Sequence, residues 1–172
     1  KVSYSCMKNM ECLIKSRNKQ LLRQHQETQE PTTRQCNCRS RNSCPLDGKC
    51  LSKSVVYMAT LRTENEKHHY IGMTEGTFKD RYNGHTSSFR LERYRNRTKL
   101  SEKIWSFKDR GLEFRIEWNI IRRGHGYRAG QNSCDLCTSE ILEILLRSSD
   151  PHLLNSRTEI LTKCRHKRKF LL

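Results

Sequence analysis

Two side chains able to act on an anionic substrate lie four residues apart, at Arg81 and His85. Around them, the apolar residues that follow Thr77 recur at helical intervals: Phe78, Tyr82 and Phe89. Side chains four apart in a helix stand one above the other, so both groups belong to one face. Arginine keeps its charge and can donate two hydrogen bonds to an anion, and histidine exchanges a proton near neutral pH. The pair indicates a site for charge stabilisation and proton transfer.

Two short strands precede this helix and must hold it in place. Residues 55–61 and 69–73 are rich in β-branched and aromatic side chains, and the polar residues 62–68 suit a hairpin between them. Gly72 lets backbone or ligand approach closely near the end of the second strand. Thr74 is predicted to cap the helix that follows.

Four cysteines within residues 36–50 have the composition of a structural zinc site: Cys36, Cys38, Cys44 and Cys50. Four thiolates close a tetrahedral site, and the segment has too few apolar residues to fold without a metal. Free thiols are the alternative, because the spacing is not the common paired form. The knuckle could brace the first strand, or it could contact nucleic acid through Arg34, Arg39, Arg41 and Lys49.

A second zinc site is predicted from residues far apart in the sequence: Cys134, Cys137, Cys164 and His166. It would tie the tail of the chain to the helix that carries Glu140. The alternative is a set of ordinary thiols beside a basic tail. Nine cysteines are an odd number, and several lie among Lys and Arg. This favours zinc in a reducing compartment over the disulfide framework of a secreted protein.

The net charge of +16, from 34 basic and 18 acidic residues, predicts a polyanion as partner. Basic residues are dense after the central helix, where they could bind phosphates or form a solvated loop: Arg90, Arg93, Arg95, Arg97 and Lys99. A membrane surface also attracts positive charge, but no apolar run is long enough to span a bilayer, so no membrane partner is expected. The hydrophobic fraction of 34% predicts a small core stabilised by metal.

The remaining segments complete a small α/β (α+β) fold. Thr98 is predicted to cap a helix that ends near Gly111, and residues 113–121 alternate apolar and polar side chains as a half-buried strand does. A helix of about ten residues follows Cys137, and a short one lies in the tail. These elements predict a three-stranded antiparallel sheet flanked by helices, with a zinc-stabilised N-terminal knuckle.

Taken together, these parts resemble the GIY-YIG endonuclease superfamily. Tyr57 lies on the first strand, Tyr70 stands before Ile71 and Gly72 on the second, and the helix carries Arg81 and His85. Glu140 and Asn155 match the superfamily's later residues. Val55 stands where the superfamily's first motif has glycine. The wider cysteine pattern, over residues 36–172, looks like the endonuclease module of Penelope-like retroelements.

The resemblance implies a catalytic set of Tyr57, Tyr70, Arg81, His85, Glu140 and Asn155. Glu140 would hold the catalytic Mg²⁺ or Mn²⁺, and it is preferred to Glu143 because Asn155 follows it by fifteen residues. Arg81 would stabilise the transition state, and Tyr70 would orient water or phosphate. Related enzymes point to Tyr57 as general base with His85 as its partner. His85 itself is the alternative base, since its ordinary pKa of about 6.5 lies near neutrality.

The resemblance also implies the function and the domain organisation. The chain would be a nuclear, metal-dependent DNA endonuclease that nicks or cuts target DNA to prime retrotransposon insertion, with template RNA as a further partner of the full-length protein. Residues 1–35 would be a basic helix and linker from a reverse transcriptase region, 36–52 the knuckle, and 53–172 the nuclease domain with its basic tail. The alternatives are a catalytically vestigial, zinc-dependent nucleic-acid-binding module and a structure-selective repair nuclease. The oligomeric state stays open.

Overall fold

The computed structural model describes residues 10–27, 35–127, 134–161, 164 and 166. The chain divides into two compact units. The larger comprises residues 34–126 and 135–162, and the smaller comprises 1–33, 127–134 and 163–172. Three predicted segments lie outside the described residues: linker residues 28–34, connection residues 128–133 and tail residues 167–172. None of the described helices is both long enough and apolar enough to cross a membrane.

The larger unit is built on a three-stranded antiparallel sheet, as predicted. Its strands are β1 (Lys53–Arg62), β2 (Lys67–Thr77) and β3 (Arg115–Arg123), in the order β2-β1-β3. The central strand β1 buries nearly all its interior residues, which explains why its sequence reads as a continuous apolar run rather than an alternation. Val55 is fully buried in this core.

Helices α2 (Phe78–Arg90), α3 (Lys99–Asp109), α4 (Asp135–Leu146) and α5 (Arg157–Ile160) accompany the sheet in the larger unit. The predicted cap of α3 is confirmed, because Thr98 and Ser101 form a reciprocal capping box. The predicted cap of α2 is wrong. Thr74 lies within β2, and the side chain of Thr77 accepts the hydrogen bond from the Asp80 N–H instead. Strand pairing with β1 extends β2 past Thr74, and this long-range pairing overrides the local capping signal.

The smaller unit contains α1 (Met10–Glu27), the basic helix predicted near the start of the sequence. It begins at the predicted Met10 and ends three residues after Gln24, where a linker was predicted to start. Met10 and Leu13 are exposed on this helix.

The cysteine knuckle is joined to the first turn of α2. The N–H groups of Lys79 and Phe78 donate to the carbonyls of Cys50 (2.8 Å) and Ser52 (2.9 Å). Lys79 Nζ also donates to Asn37 Oδ1 at 2.7 Å. The first N–H groups of a helix have no partner within the helix, so the knuckle satisfies donors that α2 leaves open. The knuckle therefore braces the helix that carries Arg81.

The free edge of β2 is covered by the segment that follows α4. The His69 N–H donates to the His152 carbonyl at 2.9 Å, and the Leu154 N–H donates to the His69 carbonyl at 2.7 Å. The two segments run parallel at this bridge. Covering a sheet edge in this way removes an open row of hydrogen-bonding groups, and it brings the chain near Asn155 against β2.

Candidate active site

The hydroxyl of Tyr57 is the point where β1 and α2 meet. Tyr57 is fully buried, and its Oη lies 2.7 Å from Nε2 of His85. Arg81 Nε donates to the same oxygen at 2.9 Å. The four-residue spacing on α2 thus brings both side chains to one phenol, as expected for side chains on one helix face. Three of the predicted site residues share one hydrogen-bonded group.

Gly72 makes this arrangement possible from the neighbouring strand. It lies directly opposite Tyr57 in the β1–β2 register. A Cβ atom at Gly72 would come within 2.5 Å of Tyr57 Oη and 2.8 Å of Cζ. The tyrosine ring therefore lies over the bare backbone of β2, where only glycine leaves room.

Burial sets the protonation states of Tyr57 and His85. Burial raises the pKa of Tyr57 to about 12, although the charge and hydrogen bond of Arg81 act to lower it. Burial lowers the pKa of His85 to about 3, and the charges of Arg81 and Arg97 lower it further. At neutral pH the pair is therefore a phenol and a neutral imidazole. Since a guanidinium can only donate, Tyr57 accepts from Arg81. Its hydroxyl can then donate to Nε2 in the His85 tautomer that carries its proton on Nδ1.

Aromatic rings enclose His85 and account for its burial. Phe89 stacks on the imidazole at 5.9 Å between ring centroids, and Trp118 lies at 5.4 Å. Trp118 pairs across the sheet with Ala59 on β1, two residues from Tyr57. The sequence showed Trp118 only as part of an apolar strand face. Its place beside His85 depends on the β1–β3 register, which no local pattern reveals.

Tyr70 lies next to this group on β2. Its ring contacts His85 edge-on at 6.0 Å between centroids, and 7% of the residue is exposed. Burial raises its pKa above the ordinary value, and the neighbouring Tyr57 acts in the same direction. Tyr70 therefore borders the site as a buried phenol.

Glu140 on α4 supplies the negative charge of the site. It is half-buried, and its charge raises the pKa values of Tyr57, Tyr70 and Arg81. All three effects require that the carboxylate lies near these side chains, since such interactions weaken with distance. The structure therefore places Glu140 with the predicted tyrosines and arginine.

Glu143, the neighbouring candidate, has a different environment. Its buried carboxylate lies 3.0 Å from Arg122 Nη2 and 2.5 Å from Arg147 Nη1. Burial alone would raise its pKa, but hydrogen bonds from Arg147 and Arg122 hold it below the ordinary value. A carboxylate engaged by two arginines links α4 to β3 and is poorly placed to take a metal. The choice of Glu140 as the metal ligand stays a prediction.

Asn155 contacts the backbone of β2 rather than the tyrosines. Its Oδ1 accepts from the Ile71 N–H at 2.7 Å, and its Nδ2 donates to the Ile71 carbonyl at 2.8 Å and to Glu159 at 2.5 Å. The amide thus binds both main-chain groups of Ile71, as a neighbouring strand would. Because Ile71 lies between Tyr70 and Gly72, Asn155 fixes the strand that borders the site. A direct part in the chemistry stays a prediction.

The knuckle cysteines form a cluster that could hold a metal ion: Cys36, Cys38, Cys44 and Cys50. Their sulfurs lie within 4.8 Å of one another, and Cys50 Sγ lies 3.6 Å from Cys36 and 3.7 Å from Cys38. Four sulfurs at about 2.3 Å from one zinc ion lie about 3.8 Å apart, so the spacing suits tetrahedral coordination.

Backbone hydrogen bonds within the knuckle lower the pKa of one of these thiols, Cys44. Asp47 and Gly48 adopt positive φ angles of 47° and 91°, which turn the chain between Cys44 and Cys50. Burial raises the pKa of Cys44, but backbone hydrogen bonds from Leu46 and Gly48 bring it down to about 7. The thiolate, which is the form that binds metal, is therefore favoured at Cys44.

A second cluster lies in the smaller unit. His166 Nδ1 is 3.3 Å from Cys134 Sγ and 3.9 Å from Cys164 Sγ. These three side chains, from two segments about 30 residues apart, could hold a metal ion together. Cys137, the fourth predicted ligand, follows Cys134 by three residues on α4 in the larger unit.

Comparison with known proteins does not assign a family. No protein-family model, no curated protein and no solved structure matches the chain. Its function must therefore be inferred from its own side chains and their geometry.

Proposed function

We propose that the chain is a metal-dependent DNA endonuclease that hydrolyses phosphodiester bonds. The observation that carries this proposal is the hydrogen-bonded set of Tyr57, His85 and Arg81. The charge of Glu140 raises the pKa of Tyr57 in this set. A core needs none of these polar groups for packing, and burying them is costly. Phosphodiester hydrolysis needs a proton acceptor, a fixed cation and an acidic metal ligand, and all three are present.

In the proposed reaction, Tyr57 is the proton acceptor and His85 is its hydrogen-bond partner. The Tyr57 proton is lost to solvent while His85 stays neutral, and the resulting phenolate is stabilised by Arg81. The phenolate takes a proton from water as the water oxygen bonds to phosphorus. The bond from phosphorus to the leaving 3′ oxygen breaks, and this oxygen takes a proton from solvent to give a 3′ hydroxyl. Arg81 also offers donors to the phosphate oxygens as negative charge grows on them.

Glu140 fits the donor that Mg²⁺ or Mn²⁺ requires. It is a half-buried carboxylate, and Mg²⁺ in nucleotide chemistry is typically held by one or two carboxylates together with substrate phosphate. An ion bound there would neutralise phosphate oxygens and assist the leaving oxygen. The chain's own part is to keep Glu140 charged and close to Arg81 and Tyr57.

We further propose that the cysteine clusters hold structural zinc. The first set is Cys36, Cys38, Cys44 and Cys50, and the second is Cys134, Cys164 and His166 with Cys137, which the C-x-x-C spacing adds. Thiolate and imidazole ligands suit zinc better than Mg²⁺ or Mn²⁺. Closed four-ligand sites of this kind stabilise a fold and take no part in the reaction.

The resemblance to Penelope-like retroelements extends the proposal to a biological role. The cut would expose a 3′ hydroxyl in nuclear DNA from which reverse transcription begins. DNA would then be the substrate, and template RNA would be a partner of the full-length protein. These assignments follow from the resemblance and from the net charge of +16.

One observation favours a second candidate function. Tyr57 is fully buried, so its hydroxyl has no contact with solvent. A general base must come within hydrogen-bond reach of the water that it activates. If Tyr57 stays buried when nucleic acid binds, the chain would be a zinc-dependent nucleic-acid-binding module with a vestigial catalytic set.

Plasmid cleavage distinguishes the two functions. Zinc-loaded wild-type protein and an Arg81→Ala/Glu140→Ala variant are incubated with supercoiled plasmid, with and without Mg²⁺. Omitting Mg²⁺ is preferable to adding a chelator, which would also remove zinc. Nicked or linear plasmid formed only by the wild type and only with Mg²⁺ supports the nuclease. DNA binding by both proteins without cleavage supports the binding module.

A further inference from the structure

The loop between α2 and α3, residues 91–98, holds two arginines on one aromatic ring. Cζ of Arg93 lies 4.8 Å from the centroid of Tyr94, and Cζ of Arg97 lies 5.5 Å from it. A guanidinium over a ring face is held by the ring's electrostatic field and keeps its N–H donors for another partner. Tyr94 thus supports two cations through its ring face, a contact that does not use their N–H donors.

The basic residues next to these two arginines form ion pairs. Arg95 forms an ion pair with Asp109, and Lys99 pairs with Glu102 at 2.7 Å. Among the side chains that the structure describes, neither Arg93 nor Arg97 has an acidic partner. Two like charges that share one ring repel each other, and an anion between them would relieve the repulsion.

The loop that carries the arginines is ordered by its own backbone. The Tyr94 N–H donates to the Leu91 carbonyl at 3.0 Å, and the Arg97 N–H donates to the Tyr94 carbonyl at 3.1 Å. Trp105 Nε1 on α3 donates to the Ser88 carbonyl on α2 at 2.9 Å. The first two bonds lie within the loop, and the third joins the two helices that flank it, so little conformational freedom is lost when a ligand binds.

The loop that carries the arginine pair follows directly after α2, and Phe89 in the last turn of this helix stacks on His85 at 5.9 Å. Arg97 is the residue whose charge, after burial and Arg81, lowers the pKa of His85. A charge must lie near the imidazole to act on it. A polyanionic strand bound at Arg97 would therefore pass close to the Tyr57, His85 and Arg81 group.

We propose that Arg93 and Arg97, supported by Tyr94, bind the phosphate backbone of a DNA strand that enters the candidate active site. The inference rests on the proposed function, since it takes DNA as the substrate. Contacts of this kind position a strand without reading its sequence. Each arginine would displace counterions from the DNA, which makes the affinity depend on salt.

The test is the salt dependence of binding to a fluorescent 20-bp DNA duplex, measured by anisotropy without Mg²⁺ so that no cleavage occurs. An Arg93→Gln/Arg97→Gln variant is compared with the wild type and with Arg115→Gln/Arg123→Gln, which removes the same charge from exposed positions on β3. Thermal melting confirms that each variant is folded. Since each phosphate contact contributes about 0.9 to the slope of log K against log salt, the first variant should lose about 1.8.

We expect the Arg93→Gln/Arg97→Gln variant to bind at least tenfold more weakly at about 0.1 M salt, on any duplex sequence, while the β3 control changes little. Tyr94→Leu should weaken binding and keep most of the slope, because both charges remain. An unchanged slope in the first variant, or an equal loss in the β3 control, would overturn the inference. If the first variant shows this loss of DNA binding but the wild type does not cleave DNA, only the proposed nuclease is refuted. Mg²⁺-dependent cleavage with an unchanged KM in the first variant would refute only the arginine pair.

Discussion

At the scale of single residues, Tyr57 is a core side chain and the central member of the candidate site. Burial raises its pKa to about 12, whereas the neighbouring Arg81 makes the phenolate easier to form. Burial also keeps His85 neutral by lowering its pKa to about 3. The two proposed bases therefore differ in a property that kinetics can measure.

The pH dependence of cleavage identifies the base. If Tyr57 must lose its proton, the logarithm of the single-turnover rate should rise by about one unit per pH unit between pH 6 and 9. The direction follows because a group with a pKa near 12 gains ionised fraction throughout this range. His85 is already neutral above about pH 3, so it adds no inflection. A plateau above an inflection near pH 6.5 would instead show that His85 is the base with an ordinary pKa.

Gly72 offers a test of the geometry around Tyr57. In Gly72→Ala the new methyl group would collide with the tyrosine hydroxyl, which must move away from Arg81 and His85. We expect cleavage to fall by about 100-fold, the typical cost of a displacement near 1 Å at a reacting group. Gly76→Ala is the matched control on the same strand, since its nearest contact would be 4.0 Å away. Equal rates for the two variants would argue against a catalytic position for Tyr57.

At the scale of elements, α2 depends on the knuckle before it. Two N–H groups of its first turn donate to knuckle carbonyls, and Leu46 of the knuckle packs into the core. The knuckle itself has few apolar side chains, so we expect its shape to depend on the proposed zinc ion. Loss of that metal should therefore displace Arg81 and His85, because α2 carries both side chains.

Cys44→Ser tests this dependence. It should lower the zinc content by one ion per chain, lower the melting temperature, and reduce cleavage even in saturating Mg²⁺, because α2 loses its N-terminal support. Cys12→Ser is the control, since Cys12 is exposed on α1 and lies outside both clusters. Zinc content by mass spectrometry and melting curves provide the readout. If zinc-depleted Cys44→Ser protein cleaves at the wild-type rate, the candidate site does not depend on the knuckle.

At the scale of the whole molecule, local sequence patterns predicted most elements and both cysteine clusters. The alternation of β3, the Thr98 cap and the cysteine groups depend on short-range chemistry that the sequence displays. The sequence did not reveal what depends on long-range pairing. Trp118 reaches His85 through the β1–β3 register, and Asn155 binds Ile71 from 84 residues away. The Thr74 cap prediction failed because pairing with β1 extends β2.

In the proposed function, the net charge provides affinity for a polyanion, and a carboxylate determines whether the bound strand is cut. Glu140 and Glu143 lie one turn apart on α4, and only Glu140 acts on Tyr57, Tyr70 and Arg81. Glu143 is held by Arg122 and Arg147. The two residues provide a matched pair on one helix, with the same side chain and different environments.

The most direct measurement is the initial rate of Mg²⁺-dependent plasmid nicking by zinc-loaded wild type, Glu140→Gln and Glu143→Gln. We expect Glu140→Gln to lose more than about 100-fold in rate with its melting temperature kept, since it removes the proposed metal ligand. Glu143→Gln should lose about 1–3 kcal/mol of stability, because it weakens a buried ion pair, and still nick at temperatures where it is folded. Nicking by Glu140→Gln at the wild-type rate, or no Mg²⁺-dependent nicking by any of the three proteins, would contradict the proposed nuclease.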